Sequence, residues 1–259
     1  MIRRFFTVAV CAAAMSFSAA QAFDMDKAIG IWLFDDGAGN TAEDSSNNGL
    51  NGDPEWVEGK FGGALELDGA GDYVRTPDHA SPREGLTLIA TVKSAVAAWN
   101  TSGAIAGKRD LYILHPNAGS VNVAFPVCNG GCWNRPGGWN DGNVGPDDIT
   151  VWRSYVGTFD SATGEWRIYI DGKVESEMSL DKTQLNEHNG SMTIGFDDCC
   201  GGGRFLNGSI DEVAVFGYAM SEDEVAQIAD QGLSATLLSV DPSGKAPLAW
   251  ASLKKRGSQ

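Results

Sequence analysis

The apolar residues along the chain are spaced as in short strands. Ala28 to Phe34 (AIGIWLF) is a compact run with both faces greasy, the pattern of a strand buried on two sides. Ala64 to Leu67, Tyr73 to Arg75 and Leu86 to Val92 repeat the signal, separated by Gly/Asp turns. Val151 to Phe159 predicts another strand, and Asp160 to Gly164 a turn. Trp166, Ile168 and Ile170 then alternate with Arg167 and Tyr169, the two-residue period of a pleated strand. Asp171-Gly172 follows as a two-residue hairpin turn, because glycine accepts a positive φ. Met192 to Phe196 and Ile210 to Phe216 complete the set. Trp32, Phe34, Leu65, Leu67, Trp166, Ile168, Ile194, Val213 and Val215 are the predicted core.

One segment predicts a helix. Ser221-Glu222-Asp223-Glu224 is a capping box, in which serine and the second glutamate each satisfy a free backbone N–H. Val225 and Ile228 keep helical spacing, and Gly232 supplies a stop. Many short strands with one short C-terminal helix predict an all-β fold, a two-sheet antiparallel sandwich or jelly roll. No internal repeat is visible.

The ends differ from this middle. Arg3 and Arg4, the apolar run Phe5 to Met15 and the small-x-small Ala20-Gln21-Ala22 read as a secretory signal over residues 1–22. The expected domain covers 23–235, and residues 236–259 form a tail ending in Lys254-Lys255-Arg256. The expected location is secreted, extracellular or periplasmic. No later stretch is apolar enough to span a membrane. The formal charge is −15, and loss of Arg3 and Arg4 takes it to −17. So acidic a chain disfavours nucleic acid and anionic lipid as partners, and it supplies carboxylates for calcium.

Three segments resemble the LamG-like jelly-roll family, a concanavalin A-like sandwich. The first runs from Ile31 to Val74 and carries W-x-F-D, D-S-S-x-N-G, G-K-F-G-x-A-L and D-G-x-x-D-Y-V. The second is the hairpin WRIYIDGKV, Trp166 to Val174. The third, Gly203 to Val225, holds GSIDEVAVF followed by SEDEV. The resemblance covers most of residues 28 to 232 and implies the same sandwich. It also implies a structural calcium ion near the rim, with Asp35, Asp44, Asn47, Asn51 and Asp211 as candidate ligands. The alternative is that these residues only cap turns.

The stretch CNGGCWNRPGGWNDGN, residues 128 to 143, holds little that predicts a regular strand. In a jelly roll it lies at a rim or over a concave face. Cys11 leaves with the signal, so Cys128, Cys132, Cys199 and Cys200 remain. Four cysteines in an exported chain predict two disulfides, with zinc as the rival reading. The expected pairing joins Cys128 and Cys132 to Cys199 and Cys200, stapling two glycine-rich loops. The alternative is a local Cys128–Cys132 link with a vicinal Cys199–Cys200 bond. Trp133 and Trp139 then form a platform for sugar rings, joined by Trp99, while Asn134, Asn140, Asp141 and Asn143 supply hydrogen bonds. The alternative is that these tryptophans fill a small core under the loop.

Enzymatic signals are missing. No E-x-D-x-x-E strand places an acid and a nucleophile together, and scattered acids do not make the close carboxyl pair of a retaining glycosidase. His79, His115 and His188 read as loop residues. G-x-S-x-G, H-E-x-x-H and a phosphate loop are absent. The expected function is a non-catalytic, calcium-stabilised carbohydrate-binding module that takes a glycan or polysaccharide. The alternatives are an adhesion module for cell-surface protein and a polysaccharide-active enzyme with an unrecognised site.

Overall fold

A computed structural model describes residues 23–39, 41–42, 48–51, 54–136, 143–200 and 202–238. The strands in its first half are β1 (Ala28–Trp32), β2 (Thr41–Ala42), β3 (Asn48–Asn51), β4 (Glu55–Glu58), β5 (Gly63–Asp68), β6 (Tyr73–Arg75), β7 (Gly85–Ser94), β8 (Ala106–Lys108) and β9 (Tyr112–Pro116). Then follow β10 (Val123–Ala124), β11 (Val127–Asn129), β12 (Gly131–Asn134), β13 (Arg153–Asp160), β14 (Glu165–Ile170), β15 (Lys173–Ser179), β16 (Thr193–Ile194), β17 (Asn207–Phe216) and the helix α1 (Glu222–Leu238). One sheet has the order β15-β14-β13-β7-β17-β5-β4, with β1 also pairing β17. The other runs β12-β11-β9-β8-β16-β6-β3-β2, with β10 pairing β9. All pairings are antiparallel. The two sheets pack face to face, as the apolar pattern requires.

All nine predicted core residues lie in the cluster between the sheets. The centre of the first sheet is buried on both faces. On β7, Leu86, Leu88, Ala90 and Val92 point inward, while Ile89 joins a second cluster on the outside. On β17, Val213 and Val215 point inward, and Ala214 and Phe216 point outward. The outward residues are covered by Phe23, Met220 and the Val225, Ile228 and Leu233 face of α1. Thr87 also points outward, and there it accepts the Met220 N–H (2.9 Å) and donates to the Tyr218 carbonyl (2.7 Å).

The register of β17 against β7 shifts between Ile210 and Val213, and this bulge holds Asp211 and Glu212. Both are buried. Asp211 accepts the N–H groups of Lys60 (2.6 Å) and Phe61 (2.8 Å), closing the β4–β5 turn. Glu212 accepts Leu233 N–H (2.6 Å) and Ser234 N–H (3.2 Å). Those two donors are free because α1 breaks at Gly232, whose φ is 80°. A Cβ there would lie 2.7 Å from the Phe61 ring. The predicted stop is therefore a kink, and helical structure resumes to Leu238, past the boundary expected at 235. The capping box forms as predicted: Glu224 accepts Ser221 N–H at 2.8 Å, and Ser221 Oγ accepts Glu224 N–H at 3.3 Å.

Asp171 (φ 50°) and Gly172 (φ 78°) make the hairpin turn between β14 and β15. The strands β8, β9, β11 and β12 escape the sequence pattern. They are short, and β8 to β11 are buried throughout, so they show no alternation. Trp99 corrects an expectation. It is 1% exposed and packs edge-on against Tyr155 at 6.3 Å, as part of the main core and not as a ligand contact. Trp99→Ala should therefore destabilise the domain by about 3–5 kcal/mol in denaturant unfolding. A loss below about 1 kcal/mol would place Trp99 outside the core.

Candidate functional site

With α1 covering the first sheet, the outer face of the second carries a pocket. On β9, Tyr112 and Leu114 point into the core, so Ile113 and His115 point the other way. His115 lines a pocket of about 520 Å³. The β9–β10 turn adds Asn117, Ser120 and Asn122, and Ser102 stands beside it. Arg109 enters from the β8–β9 turn, and Trp133 from β12 at the sheet edge. Cys199, Cys200 and Arg204 come from the β16–β17 connection. The β9–β10 turn is held by Asn117 N–H to the Asn122 carbonyl (2.9 Å) and Ser120 N–H to the Asn117 carbonyl (3.1 Å). Ala118 N–H donates to Ser102 Oγ at 3.1 Å, tying the turn to the neighbouring loop.

One buried carboxylate organises the cationic wall. Asp197 Oδ2 accepts Arg109 Nη1 at 2.9 Å, with the Asp197 side chain only 2% exposed. Its Oδ1 accepts the Cys199 N–H at 3.2 Å, which fixes the start of the cysteine turn. Burial raises the Asp197 carboxyl above the usual range, and Arg109 opposes that shift. The Arg109 guanidinium also lies over the Trp133 ring, 5.1 Å from its centroid. Arg204 Nη1 donates to the Ser102 carbonyl at 2.8 Å. Burial, then the charges of Arg204, Arg135 and Arg109, push the His115 imidazole down to about 4. His115 is therefore neutral at pH 7.

Backbone strain gathers at the same place. Trp133 (φ 62°) and Cys200 (φ 61°) sit in the left-handed region and line the pocket, and Asp110 (φ 64°) adjoins Arg109. Bulky residues avoid that region unless surrounding structure holds them there, and such strain concentrates at binding sites.

Several expectations change here. The cysteine-rich stretch is not wholly irregular: β11 and β12 form a hairpin across Gly130. The disulfide joins Cys199 to Cys200, while Cys128 (buried) and Cys132 (exposed) are free thiols. The stapled pairing is thus overturned. Cys128 and Cys132 lie on the two arms of one hairpin and interact with each other, and burial pushes the Cys128 thiol up to about 12. The zinc reading also fails, because two of its four thiolates are bonded to each other. Trp133 is half-buried, with one ring face under Arg109, and not an exposed platform. Asn134 donates to Asn129 Oδ1 and braces the hairpin, and Asn143 Oδ1 accepts from Arg135; neither lines the pocket. Trp139, Asn140 and Asp141 lie outside the described residues. His115 is a strand residue, 5% exposed, and not a loop residue.

The calcium candidates divide. Asp44 and Asn47 lie outside the described residues, and only the backbone of Asn51 is described. Asp35 Oδ1 accepts Gly63 N–H at 2.7 Å, beside the turn that Asp211 closes. Asp211 Oδ1 is buried with no hydrogen-bond partner among the described residues. Burial raises the Asp211 carboxyl to about 6, and the Asp35 charge adds to the shift. An orphan oxygen next to a second carboxylate suits a cation. Two carboxylates alone fall short of the six to eight oxygens calcium takes. Among the described residues no group of three or more His, Cys, Asp or Glu could hold a metal.

Sequence reasoning missed Arg109, His115, Asn117, Asn122 and Arg204. They come from separate segments, and no motif links them.

The fold and pocket agree with what the chain is similar to. A laminin G-type family model, described as the concanavalin A-like lectin/glucanases superfamily, matches residues 68–226. The chain belongs to that superfamily. No curated protein matches it. Among solved structures it is similar to domain 4 of AbnA, a GH43 extracellular arabinanase from Geobacillus stearothermophilus, in complex with arabinotriose. The TM-score is 0.59 at 18% identity, over 78% of this chain and 98% of that one. It is also similar to the binding domain of Paraclostridial Mosquitocidal Protein 1 (TM-score 0.59, 12% identity, 79% of this chain and 52% of that one). The binding domain of botulinum neurotoxin DC, in complex with rat synaptotagmin II, matches with TM-score 0.57 and 14% identity, over 79% of this chain and 51% of that one. The chain thus spans about half the length of the toxin domains. At these identities the likeness is one of fold.

Two measurements test this geometry. Peptide mapping without reduction should find a Cys199–Cys200 link and none between 128 or 132 and 199 or 200; any such cross-link would restore the staple. In the native protein, alkylation should reach Cys132 well before Cys128. The second is stability against pH. Folded His115 stays neutral down to about 4, whereas the unfolded residue titrates near 6.5. Between these values the unfolded state binds more protons, so this group's contribution rises with pH and is lost as pH falls. Melting temperatures of wild type and His115→Gln should differ in slope over that window, the variant being flatter.

Proposed function

We propose that the domain is a secreted, non-catalytic carbohydrate-binding module, and that its glycan enters the pocket on the outer face of the second sheet. The observation that carries this is the pocket itself. It combines an indole wall (Trp133) with amide and hydroxyl groups (Asn117, Asn122, Ser102, Ser120) on well-held turns. Such a mixture suits sugars, which present C–H patches and hydroxyls together. Binding is favoured over hydrolysis because the pocket lining contains no Asp or Glu among the described residues. The acids Asp211 and Glu212 spend oxygens on backbone N–H groups elsewhere. The solved AbnA domain, with its arabinotriose, supports a sugar-binding use of this fold.

A protein-adhesion role would call for a broad apolar patch. Among the described residues the exposed large hydrophobics are Val96 (38%) and Val151 (46%), which do not make one. Calcium belongs to this proposal as a structural ion. Asp35 and Asp211 would hold it with Asp44, Asn47 and Asn51, and it would neutralise the two carboxylates at the β4–β5 turn.

Pull-down on a polysaccharide panel should capture the folded chain. Trp133→Ala should weaken binding by about tenfold or more, since it removes one wall of the pocket. In the same samples calcium should raise the melting temperature and EDTA lower it, with Asp211→Asn abolishing the difference. Retention on no glycan would sink the carbohydrate reading, and a melting temperature indifferent to calcium would remove the ion.

A further inference from the structure

The pocket differs in sign from the protein that carries it. The chain has a formal charge of −15, yet Arg109 and Arg204 line the pocket. Arg135 stands near enough for its charge, like theirs, to bear on His115. Asp197 and Asp110 both pair with Arg109, so the lining cation with no acid partner among the described residues is Arg204. Asp197 is buried and committed, one oxygen to Arg109 and the other to the Cys199 N–H. Asp110, 3.8 Å from Arg109, is exposed, and so is Asp198. Arg204 forms no ion pair among the described residues; its guanidinium donates to the neutral Ser102 carbonyl. His115 adds no charge at pH 7, and it offers a ring that can donate or accept.

A neutral sugar gives no reason for this arrangement. Holding the Arg204 guanidinium partly out of water is costly unless an anion meets it. Arginine presents paired N–H donors that fit the two oxygens of a carboxylate or sulfate. Arg109 is held ready for such a group by Asp197 on one side and the Trp133 ring on the other.

We infer that the pocket selects glycans bearing an anionic substituent, a carboxylate or a sulfate ester, and that Arg204 and Arg109 hold that group. This rests on the carbohydrate-binding reading of the same pocket and names its ligand class. Arg204 takes the larger share of recognition, since Arg109 already has a carboxylate partner.

The test uses ligands that differ in charge alone. Oligogalacturonate is compared with its methyl ester, and a sulfated galactan oligosaccharide with its desulfated form, by calorimetry on the folded chain. At least one charged member should bind about tenfold or more tighter than its neutral twin, the scale of one charge-assisted contact. Raising salt should erode that preference, because part of the attraction is screened. Arg204→Gln should bring the ratio close to one, and Arg204→Lys should restore part of it while leaving the melting temperature unchanged. The pair that shows the preference identifies carboxylate or sulfate. Equal binding of charged and neutral twins would overturn the inference and leave the carbohydrate reading intact. Binding of neither, on this panel and the wider one, would overturn both.

Discussion

The fold turns on the double-sided burial of the central strands β7 and β17. One face makes the core between the sheets, and the other is too apolar to meet water. Ile89, Ala214 and Phe216 must be covered, and α1 with Phe23 and Met220 covers them. Burying Ile89 or Phe216 contributes roughly 1.5–3 kcal/mol each. That requirement closes the first sheet to ligands. The outer face of the second sheet is left to carry the pocket.

Holding α1 in place brings its own cost. The bulge in β17 buries two adjacent acids, and each repays its desolvation by binding backbone donors that would otherwise be orphaned. Asp211 ties down the β4–β5 turn, and Glu212 caps the helix where Gly232 breaks it. Lys60 Nζ reaches the Ala229 carbonyl at 3.1 Å, so turn and helix also hold each other. A comparable economy operates at the pocket, where Asp197 fixes both Arg109 and the cysteine turn. In both places a buried carboxylate acts as an internal cap that sets loop geometry.

Much of the fold was legible because one physical rule suffices for each element. Alternation placed Trp166, Ile168 and Ile170; Asp171-Gly172 supplied the turn; Ser221 and Glu224 capped the helix. The strands β8, β9 and β11 obey no such rule, since burial throughout erases the period. The pocket was less legible still. Trp133 stood out through its glycine-rich, tryptophan-bearing surroundings, and Trp99 was grouped with it, yet of these two Trp133 lines the cavity and Trp99 does not. Composition cannot separate an indole that fills a core from one that walls a site. Arg109, His115 and Arg204 meet because β9 lies next to β8, and β8 next to β16, a sheet order that no local signal encodes. The cysteines misled for a related reason. Counting suggested two disulfides, and the placement of the two glycine-rich loops suggested that they were stapled, whereas sheet register places Cys128 and Cys132 on the two arms of one hairpin.

The left-handed backbone at Trp133 has a consequence for how this domain could change over time. A glycine or asparagine at that position would relax the chain, and the rest of the hairpin would lose little. Selection for heat resistance alone would therefore erode the tryptophan. Its retention in a lineage would mark continued use of the pocket, and its replacement by glycine would mark a copy that keeps the sandwich but has given up its ligand.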